Sequence, residues 1–171
     1  MREIQLTPTS YIVLGLLSDA GEATPYELKQ MVDNSVGHFW SLHRSQLHAE
    51  PARLTHAGYL TERRELEGRR RKRYELTDRG REALKRWLST PTSEYTELRD
   101  LAFLKLFFGA DPLTMANAQL DALRPLLERY LQLQQTLEHA SSGQRQTLGA
   151  GIEHVRTAIA IWERIAAEAQ G

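Results

Sequence analysis

The sequence contains no cysteine among its 171 residues. This absence excludes disulfide bonds, a thiolate nucleophile and cysteine-ligated metal centres, and it agrees with a reducing compartment. No apolar run is long enough to cross a bilayer, and the opening MREIQLTPTS lacks the basic-then-apolar order of a signal peptide. We therefore expect a cytoplasmic protein with no membrane partner.

Motifs for catalysis and metal binding are also missing. There is no glycine-rich phosphate loop, no GxSxG elbow and no convincing pair of carboxylates, so we expect neither enzymatic activity nor a cofactor. His38, His43 and His48 recur every five residues, but five residues of helix turn through about 500°, which points His43 and His48 to different faces. Without two histidines at the i, i+4 spacing, we expect no metal site.

Positive charge is present but unevenly distributed, although the formal net charge at pH 7 is zero. Residues 63–86 hold 11 of the 22 Lys and Arg residues and only 5 of the 22 acidic residues, and residues 69–73 are the unbroken run RRRKR. Such a run costs repulsion that a merely solvated loop has no reason to accept. We interpret it as a local positive field directed at a nucleic-acid backbone. A solvated loop and an anionic membrane or protein partner are the alternatives.

Two short helices are predicted near the start of the chain. The pair TP at residues 7–8 is a cap-then-proline start, and Gly21 ends the first helix. The stretch TPYE at residues 24–27 combines a threonine cap, a proline at the first helical position and the glutamate of a capping box. Gly37 is expected to end this second helix.

A third helix is predicted from about Arg44 to Ala57, with Gly58 as the stop. Pro51 falls inside it, where proline removes a backbone hydrogen bond, so the helix is expected either to kink there or to begin later. In a helix-turn-helix, the first residues of the second motif helix face base edges in the major groove. The candidate DNA-contacting residues of this segment are His43, Arg44, Ser45, Gln46, His48 and Arg53.

Three of these side chains have defined partners on DNA. Gln46 can pair bidentately with adenine, Arg44 can bind guanine or a phosphate, and Ser45 can bind either kind of group. Ser45 can also simply cap the helix. We therefore expect this segment to determine which DNA sequence the protein binds.

A β-hairpin and a fourth helix follow. Residues 60–66 and 72–76 alternate like two strands joined by a charged tip around Gly68. The fourth helix begins at Thr77, and its expected buried residues are Ala83, Leu84, Trp87 and Leu88. The order helix, helix, helix, hairpin, helix predicts a winged helix-turn-helix domain.

The polar stretch STPTSE, residues 89–94, suggests a domain boundary, with a DNA-binding domain at 1–90 and a helical dimerisation domain at 91–171. Two tracts, 113–137 and 148–169, carry apolar residues at spacings of three and four, as in coiled coils. The fold class predicted is mainly α with a small β-hairpin. The candidate dimer contacts are Leu120, Leu123, Leu127, Tyr130, Ile152, Val155, Ile159 and Trp162.

Two features of this region leave alternatives open. The short SSGQ at 141–144 also permits the two tracts to pair within one chain as an antiparallel hairpin, and both pairings can coexist in one bundle. The larger aromatic residues are expected in the core and at the joint between domains, or alternatively around an effector pocket. They are Trp40, Trp87, Phe103, Phe107, Phe108 and Trp162.

Several motifs together resemble the PadR family of bacterial transcriptional regulators. They are YIVLGLL at 11–17, TPYELK at 24–29, FW at 39–40, SQLH at 45–48, ARL at 52–54, AGYLTERRE at 57–65 and KRYELTDRGREALKRWL at 72–88. LRDLAFLKLFF at 98–108 and TLGAGIEHVRTAIAIWE at 147–163 resemble the helical domain of the subgroup with a long C-terminal region. The resemblance covers nearly the whole chain.

The resemblance implies a homodimeric repressor that binds a pseudo-palindromic operator and is often released by a small aromatic compound or another cue. The DNA contacts of family members correspond here to the start of the second helix, to the third helix and to the wing. The matching residues are Tyr26, Lys29, Ser45, Gln46, His48, Arg69, Arg70, Arg71 and Lys72. In the third helix, His48 stands where the family usually has tyrosine, and Glu50-Pro51 where it more often has Ala-Leu.

We therefore expect a dimeric, sequence-specific DNA-binding regulator, a repressor rather than an activator. Its partners would be double-stranded DNA, a second copy of the chain and a small-molecule effector. The rival hypothesis is a winged-helix protein-interaction module, in which the basic hairpin docks on an acidic partner.

Overall fold

The computed structural model describes residues 4–64, 71–93, 99–137 and 140–170, apart from the side chains of His38 and Arg44. The chain divides into two compact units, residues 1–94 and 95–171. Within the described ranges, no helix is both long enough and apolar enough to cross a bilayer.

The first unit is a winged helix-turn-helix, which confirms the predicted fold class. Its elements are α1 (Pro8–Ala20), β1 (Glu22–Ala23), α2 (Pro25–Asp33), a 3-10 helix (Val36–His38), α3 (Arg44–His56), β2 (Leu60–Arg64), β3 (Lys72–Leu76) and α4 (Asp78–Ser89). The three strands form an antiparallel sheet in the order β1-β3-β2. The two-residue strand β1 was not predicted, because it has no period long enough to recognise.

The helix starts follow the local cap signals. The Thr7 and Thr24 side chains accept the predicted capping hydrogen bonds, and Gly21 ends α1 with a φ of 78°. The predicted stop at Gly37 is wrong, because α2 already ends at Asp33. Gly37 lies in the 3-10 helix, where a Cβ would meet the carbonyl oxygen of Val32 at 2.6 Å. This glycine therefore permits a close backbone approach and does not terminate the helix.

The core of the first unit is apolar and has buried residues from every regular element except the 3-10 helix, whose Val36 packs against it partly buried. Its buried residues are Val13, Leu14, Leu17, Ala23, Leu28, Val32, Leu47, Leu54, Ala57, Tyr59, Leu60, Tyr74, Leu76, Ala83 and Leu84. The predicted burial of Trp87 and Leu88 is wrong, since they are 47% and 68% exposed. They occupy the last turn of α4, beyond the core, where the Trp87 ring stacks on Tyr11 of α1 at 4.6 Å.

Helix α3 begins at Arg44 and continues through Pro51, so it does not begin later. The Pro51 side chain is fully buried. Proline has no N–H to offer to the carbonyl four residues earlier. One turn later, the Thr55 hydroxyl donates to the Pro51 carbonyl at 2.8 Å. The helix therefore passes its proline with one fewer backbone hydrogen bond.

The second unit consists of α5 (Leu101–Phe107), α6 (Pro112–Thr136) and α7 (Ser142–Glu168). Helices α6 and α7 pack as an antiparallel hairpin: Leu120 lies in one cluster with Trp162, and Tyr130 lies in another with Ile152. The alternative in which the two tracts pair within one chain is thereby confirmed.

All eight predicted dimer contacts lie in this intrachain core. Five are buried and three are partly buried: Leu120, Tyr130, Ile152, Val155 and Trp162 belong to the first group, and Leu123, Leu127 and Ile159 to the second. Phe103 stacks on Trp162 at 4.6 Å, whereas Phe107, Phe108 and Trp40 are exposed and lie outside the cores of their units.

Candidate nucleic-acid interface

One face of α3 is exposed along its whole length. Leu47, Glu50, Pro51 and Leu54 are buried on the inner face. The opposite stripe, at spacings of four, three and four residues, is exposed and consists of Ser45, Ala49, Ala52 and His56. Of these four, only Ser45 was a predicted contact. The three- and four-residue spacing counted from Ser45 would have found the others.

The remaining candidates on α3 flank this stripe or begin the helix. Gln46 and His48 are exposed on either side of the stripe. His43 holds the N-cap position without a capping hydrogen bond from its side chain, so Ser45 is not the cap. Arg44 is the first helical residue, and its side chain lies outside the described part of the structure.

Helix α2 carries the two candidates Tyr26 and Lys29. The exposed Tyr26 hydroxyl accepts a hydrogen bond from the Gln30 side chain at 3.3 Å. The Lys29 ammonium lies 3.2 Å from the Asp33 carboxylate, one turn along the same helix. Both side chains are therefore held on the outer surface of α2.

The wing is the hairpin of β2 and β3, in which Glu62 lies opposite Tyr74 and Arg64 lies opposite Lys72. Lys72 donates to Glu62 at 2.9 Å, Tyr74 donates to the same oxygen at 3.2 Å, and Arg64 lies 3.6 Å from the other oxygen. The hydrogen bond from Lys72 is the main reason that the pKa of Glu62 lies below its usual range. Lys72, a predicted DNA contact, is therefore already paired with a carboxylate on the neighbouring strand.

The other face of the sheet holds a second ion-pair group. Arg63 and Arg73 lie directly opposite each other on β2 and β3, a pairing that is repulsive by itself. The Glu22 carboxylate of β1 bridges them, at 2.9 Å to Arg63 and 3.3 Å to Arg73. Arg63 and Arg73 thus link β2 and β3 to β1 through the shared Glu22 carboxylate. Arg71 is exposed just before β3, while Arg69 and Arg70 lie outside the described residues.

Arg53 was proposed from sequence as a DNA contact, but its guanidinium is used within the protein. It donates to both oxygens of Glu50, at 2.9 and 2.6 Å, to the Ser10 hydroxyl at 2.9 Å and to the Gln5 carbonyl at 3.2 Å. Ser10 also donates to Glu50 at 2.6 Å. We define Ser10, Glu50 and Arg53 as the α1–α3 polar cluster.

The charges within this cluster stabilise each other. Burial, the largest single influence, raises the pKa of Glu50, but hydrogen bonds from Arg53 and Ser10 outweigh it, and the pKa lies below its usual range. The hydrogen bonds to Glu50 likewise raise the pKa of Arg53. An open cavity of about 440 Å³ adjoins the cluster, lined by the first turn of α1, by Trp40 and by Gln46.

A helix with one exposed face, beside a hairpin that carries cations, is the arrangement of DNA-binding winged helices. Residues 13–86 match the model of the transcriptional regulator PadR-like family. Over these residues the chain is similar to the PadR-like family. The match covers most of the first unit, from α1 to the penultimate turn of α4.

Similar proteins extend the comparison beyond the PadR-like segment. The negative transcriptional regulator PadR of Bacillus subtilis (strain 168) is 34% identical over 100 residues, which span 57% of this chain and 54% of that protein. The crystal structure of Bacillus subtilis PadR with operator DNA superimposes with a TM-score of 0.83, at 24% identity over 96% of this chain and 99% of that one.

A crystal structure of Bacillus subtilis PadR with p-coumaric acid gives a TM-score of 0.77, at 23% identity, and covers 98% of this chain and 99% of that one. At these identities the structural matches establish the fold. The aligned segment of the curated relative spans about half of that relative's length.

Proposed function

We propose that this PadR-like chain is a dimeric, sequence-specific DNA-binding regulator that acts as a repressor. The observation that carries the proposal is the exposed stripe of α3, in a unit whose hairpin strands carry exposed cations. A relative described as a negative transcriptional regulator and a fold neighbour solved with operator DNA support it. We place the protein in the cytoplasm, where DNA is accessible to a bacterial regulator.

Base reading is assigned to α3 in the major groove. Gln46 would pair with adenine, and Ser45, at the first turn, would reach a base edge or a phosphate. Ala49 and Ala52 are small, so they let the helix backbone approach the bases closely, and their methyl groups can contact the thymine methyl. Specificity therefore follows from the exposed stripe and its Gln46 flank.

The wing is assigned to phosphates or to the minor groove. Arg69, Arg70, Arg71 and Lys72 supply the charge, and Tyr26 and Lys29 add contacts from α2. Phosphate contacts carry no sequence information but dominate affinity and its dependence on salt. To bind a phosphate, Lys72 must first break its hydrogen bond to the Glu62 carboxylate. Its contribution to DNA affinity is reduced by the cost of breaking that bond.

Dimerisation is assigned to residues 91–171, and DNA binding to residues 1–90. Most of the heptad side chains are buried between α6 and α7, but Leu123, Leu127 and Ile159 keep part of their surface exposed. These three are the members of the predicted set that can still contact a second copy. A two-fold dimer would space its recognition helices about one DNA turn apart and select a pseudo-palindrome.

We also propose that a small aromatic effector releases the protein from its operator. A fold neighbour has been solved with p-coumaric acid, an aromatic acid. An effector of this class would loosen operator binding by favouring a dimer geometry that does not match the half-site spacing. Adding p-coumaric acid to the protein–operator complex is expected to lower operator affinity, with glutamic acid as the non-aromatic control.

The direct test of DNA binding is fluorescence anisotropy with a labelled random duplex at increasing salt. Arg71→Ala should weaken binding to every duplex. It should also reduce the slope of log affinity against log salt concentration by the amount expected for about one lost phosphate contact. Arg164→Ala, which removes an exposed cation from the second unit, is the charge-matched control and should change neither. Wild-type protein that shows no salt-dependent binding would favour the protein-interaction module.

Specificity is tested separately at Gln46. Gln46→Ala should relax base preference at one position of the site by about 1–3 kcal/mol, while leaving binding to random duplex unchanged. Loss of binding to all sequences alike would instead place Gln46 among the phosphate contacts.

A further inference from the structure

We propose that Ser10, Glu50 and Arg53 are positioning residues, which fix the rotation of α3 about its axis and thereby determine which base edges the helix reads. This inference rests on the proposed function, because it concerns the accuracy of DNA reading. It gives the α1–α3 polar cluster a role that neither DNA contact nor core packing supplies.

The cluster joins two helices through a closed set of hydrogen bonds. Ser10, on α1, is fully buried and donates to Glu50 on α3 at 2.6 Å. Arg53 donates to both of these residues and to the Gln5 carbonyl, before the start of α1. The Ser10 hydroxyl also accepts from the Thr7 backbone N–H at 2.8 Å, so the cap of α1 belongs to the same network.

The network spans the weakest point of α3. Pro51 follows Glu50 directly and removes one backbone hydrogen bond from the middle of the helix. The Thr55 hydroxyl donates to the Pro51 carbonyl, a bond from a side chain to the preceding turn that tends to bend helices. Because Glu50 and Arg53 lie on either side of the proline and bind each other, they hold the two halves of the helix in register.

Rotation of α3 is the motion that this network resists. The outer radius of a helix with side chains is about 5–6 Å, so a rotation of about 20° would move a side-chain tip by about 2 Å. A displacement of that size breaks a bidentate hydrogen bond to a base. Gln46 lies one turn before Glu50, and Ala49 one turn before Arg53, so both reading positions would rotate with the cluster.

A stabilising role alone is a poor explanation for a buried carboxylate. The Glu50 side chain is 9% exposed and the Arg53 side chain 37%. A buried ion pair usually contributes little net stability compared with well-packed apolar residues. Its fork-to-fork hydrogen bonds, however, accept only a narrow range of geometry. The cluster therefore contributes more to the orientation of α3 than to the free energy of unfolding.

The test compares two affinities for each variant, one for a duplex selected by the wild-type chain from a random library and one for random duplex. Ser10→Ala removes a hydroxyl that is buried and cannot touch DNA, so any change in preference must pass through α3. We expect it to lower the affinity ratio by about tenfold, with an unchanged salt slope on random duplex. Arg53→Lys keeps the charge but loses the fork, and should give an intermediate loss.

Leu84→Ala is the control for stability, because it destabilises the same unit from α4 without touching the cluster. It should leave the affinity ratio unchanged at temperatures at which each variant remains folded by circular dichroism. Unchanged ratios for folded Ser10→Ala and Arg53→Lys would overturn the proposal and leave the cluster a structural role only.

Two further outcomes would also overturn it, in distinguishable ways. If Arg53→Lys weakens binding to all duplexes while Ser10→Ala changes nothing, Arg53 contacts phosphate directly. If the wild-type chain binds selected and random duplex equally, the proposed function itself fails, and positioning fails with it.

Discussion

Arg53 binds the Glu50 carboxylate through two parallel hydrogen bonds, from Nε to Oε2 at 2.9 Å and from Nη2 to Oε1 at 2.6 Å. Both residues lie on the helix that we assign to base reading, one turn apart and on either side of Pro51. An arginine on a recognition helix is an obvious candidate for a DNA contact, yet this one is used to hold the helix on α1. We therefore assign base reading to the opposite stripe, beginning at Ser45.

Acid should weaken the fold through Glu50. Its pKa is lower in the folded protein than its ordinary value of about 4.3, so its contribution to stability is complete above that value and is lost as the pH falls through the folded pKa. Glu50→Gln should cost about 1–3 kcal/mol at pH 7 and should make unfolding less dependent on pH in the acid range. Urea unfolding at pH 7, 5 and 3.5 measures both effects, and an equal cost at all three pH values would contradict them.

Alkali should act through Tyr74. Burial is the main reason that its pKa rises to about 12, and the charge and hydrogen bond of Glu62 add to the shift. Because the unfolded pKa is about 10, this contribution to stability is complete below pH 10 and is lost as the pH rises toward 12. The free energy of unfolding of wild-type protein, minus that of Tyr74→Phe, should therefore shrink between pH 9.5 and 11.5. A constant difference would mean that Tyr74 does not titrate abnormally.

Gly80 should not tolerate a side chain. A Cβ at this position of α4 would lie 2.2 Å from the Tyr59 carbonyl oxygen, which follows α3. Gly80→Ala is expected to cost about 1–3 kcal/mol or more through this overlap. Gly15→Ala, in α1 with no atom within 4 Å of the added Cβ, is the matched control and should stabilise by about 0.5–1 kcal/mol. Similar urea midpoints for the two variants would contradict the predicted overlap.

Removing the negative charge of Glu62 should strengthen DNA binding. Glu62→Gln frees Lys72 for a phosphate, so we expect about threefold tighter binding to random duplex at low salt, with a salt slope steeper by about 0.9. Glu163→Gln makes the same charge change in the second unit, where Glu163 pairs with Arg124, and should have no effect. Weaker binding by Glu62→Gln, measured by anisotropy, would show that the wing needs this ion pair to hold its shape.

Local signals in the sequence predicted the secondary structure well. The threonine caps, the proline starts and the capping box at residues 24–27 act within a single turn, so they can be read without the rest of the fold. The hairpin of β2 and β3 was predicted for the same reason. The start of α3 at Arg44 was predicted, and the helix continues through Pro51, whose side chain is fully buried.

Contacts between residues far apart in the sequence were not predictable, because no local sequence pattern marks the two partners. Ser10 and Glu50 are 40 residues apart in sequence, and Glu22 reaches Arg63 across 41 residues. From the sequence alone, Arg53 was predicted to contact DNA. In the folded protein its guanidinium binds the Glu50 carboxylate and the Ser10 hydroxyl. A heptad pattern likewise shows that an apolar face is buried but not whether the covering helix belongs to the same chain.

Selection of bound duplexes from a random DNA library measures whether the chain binds specific sequences as a two-fold dimer. We expect enrichment of an inverted repeat whose half-sites lie about one DNA turn apart, bound by a species with twice the chain mass in light scattering. Failure to enrich any sequence, or enrichment of a single half-site by a monomer, would contradict it.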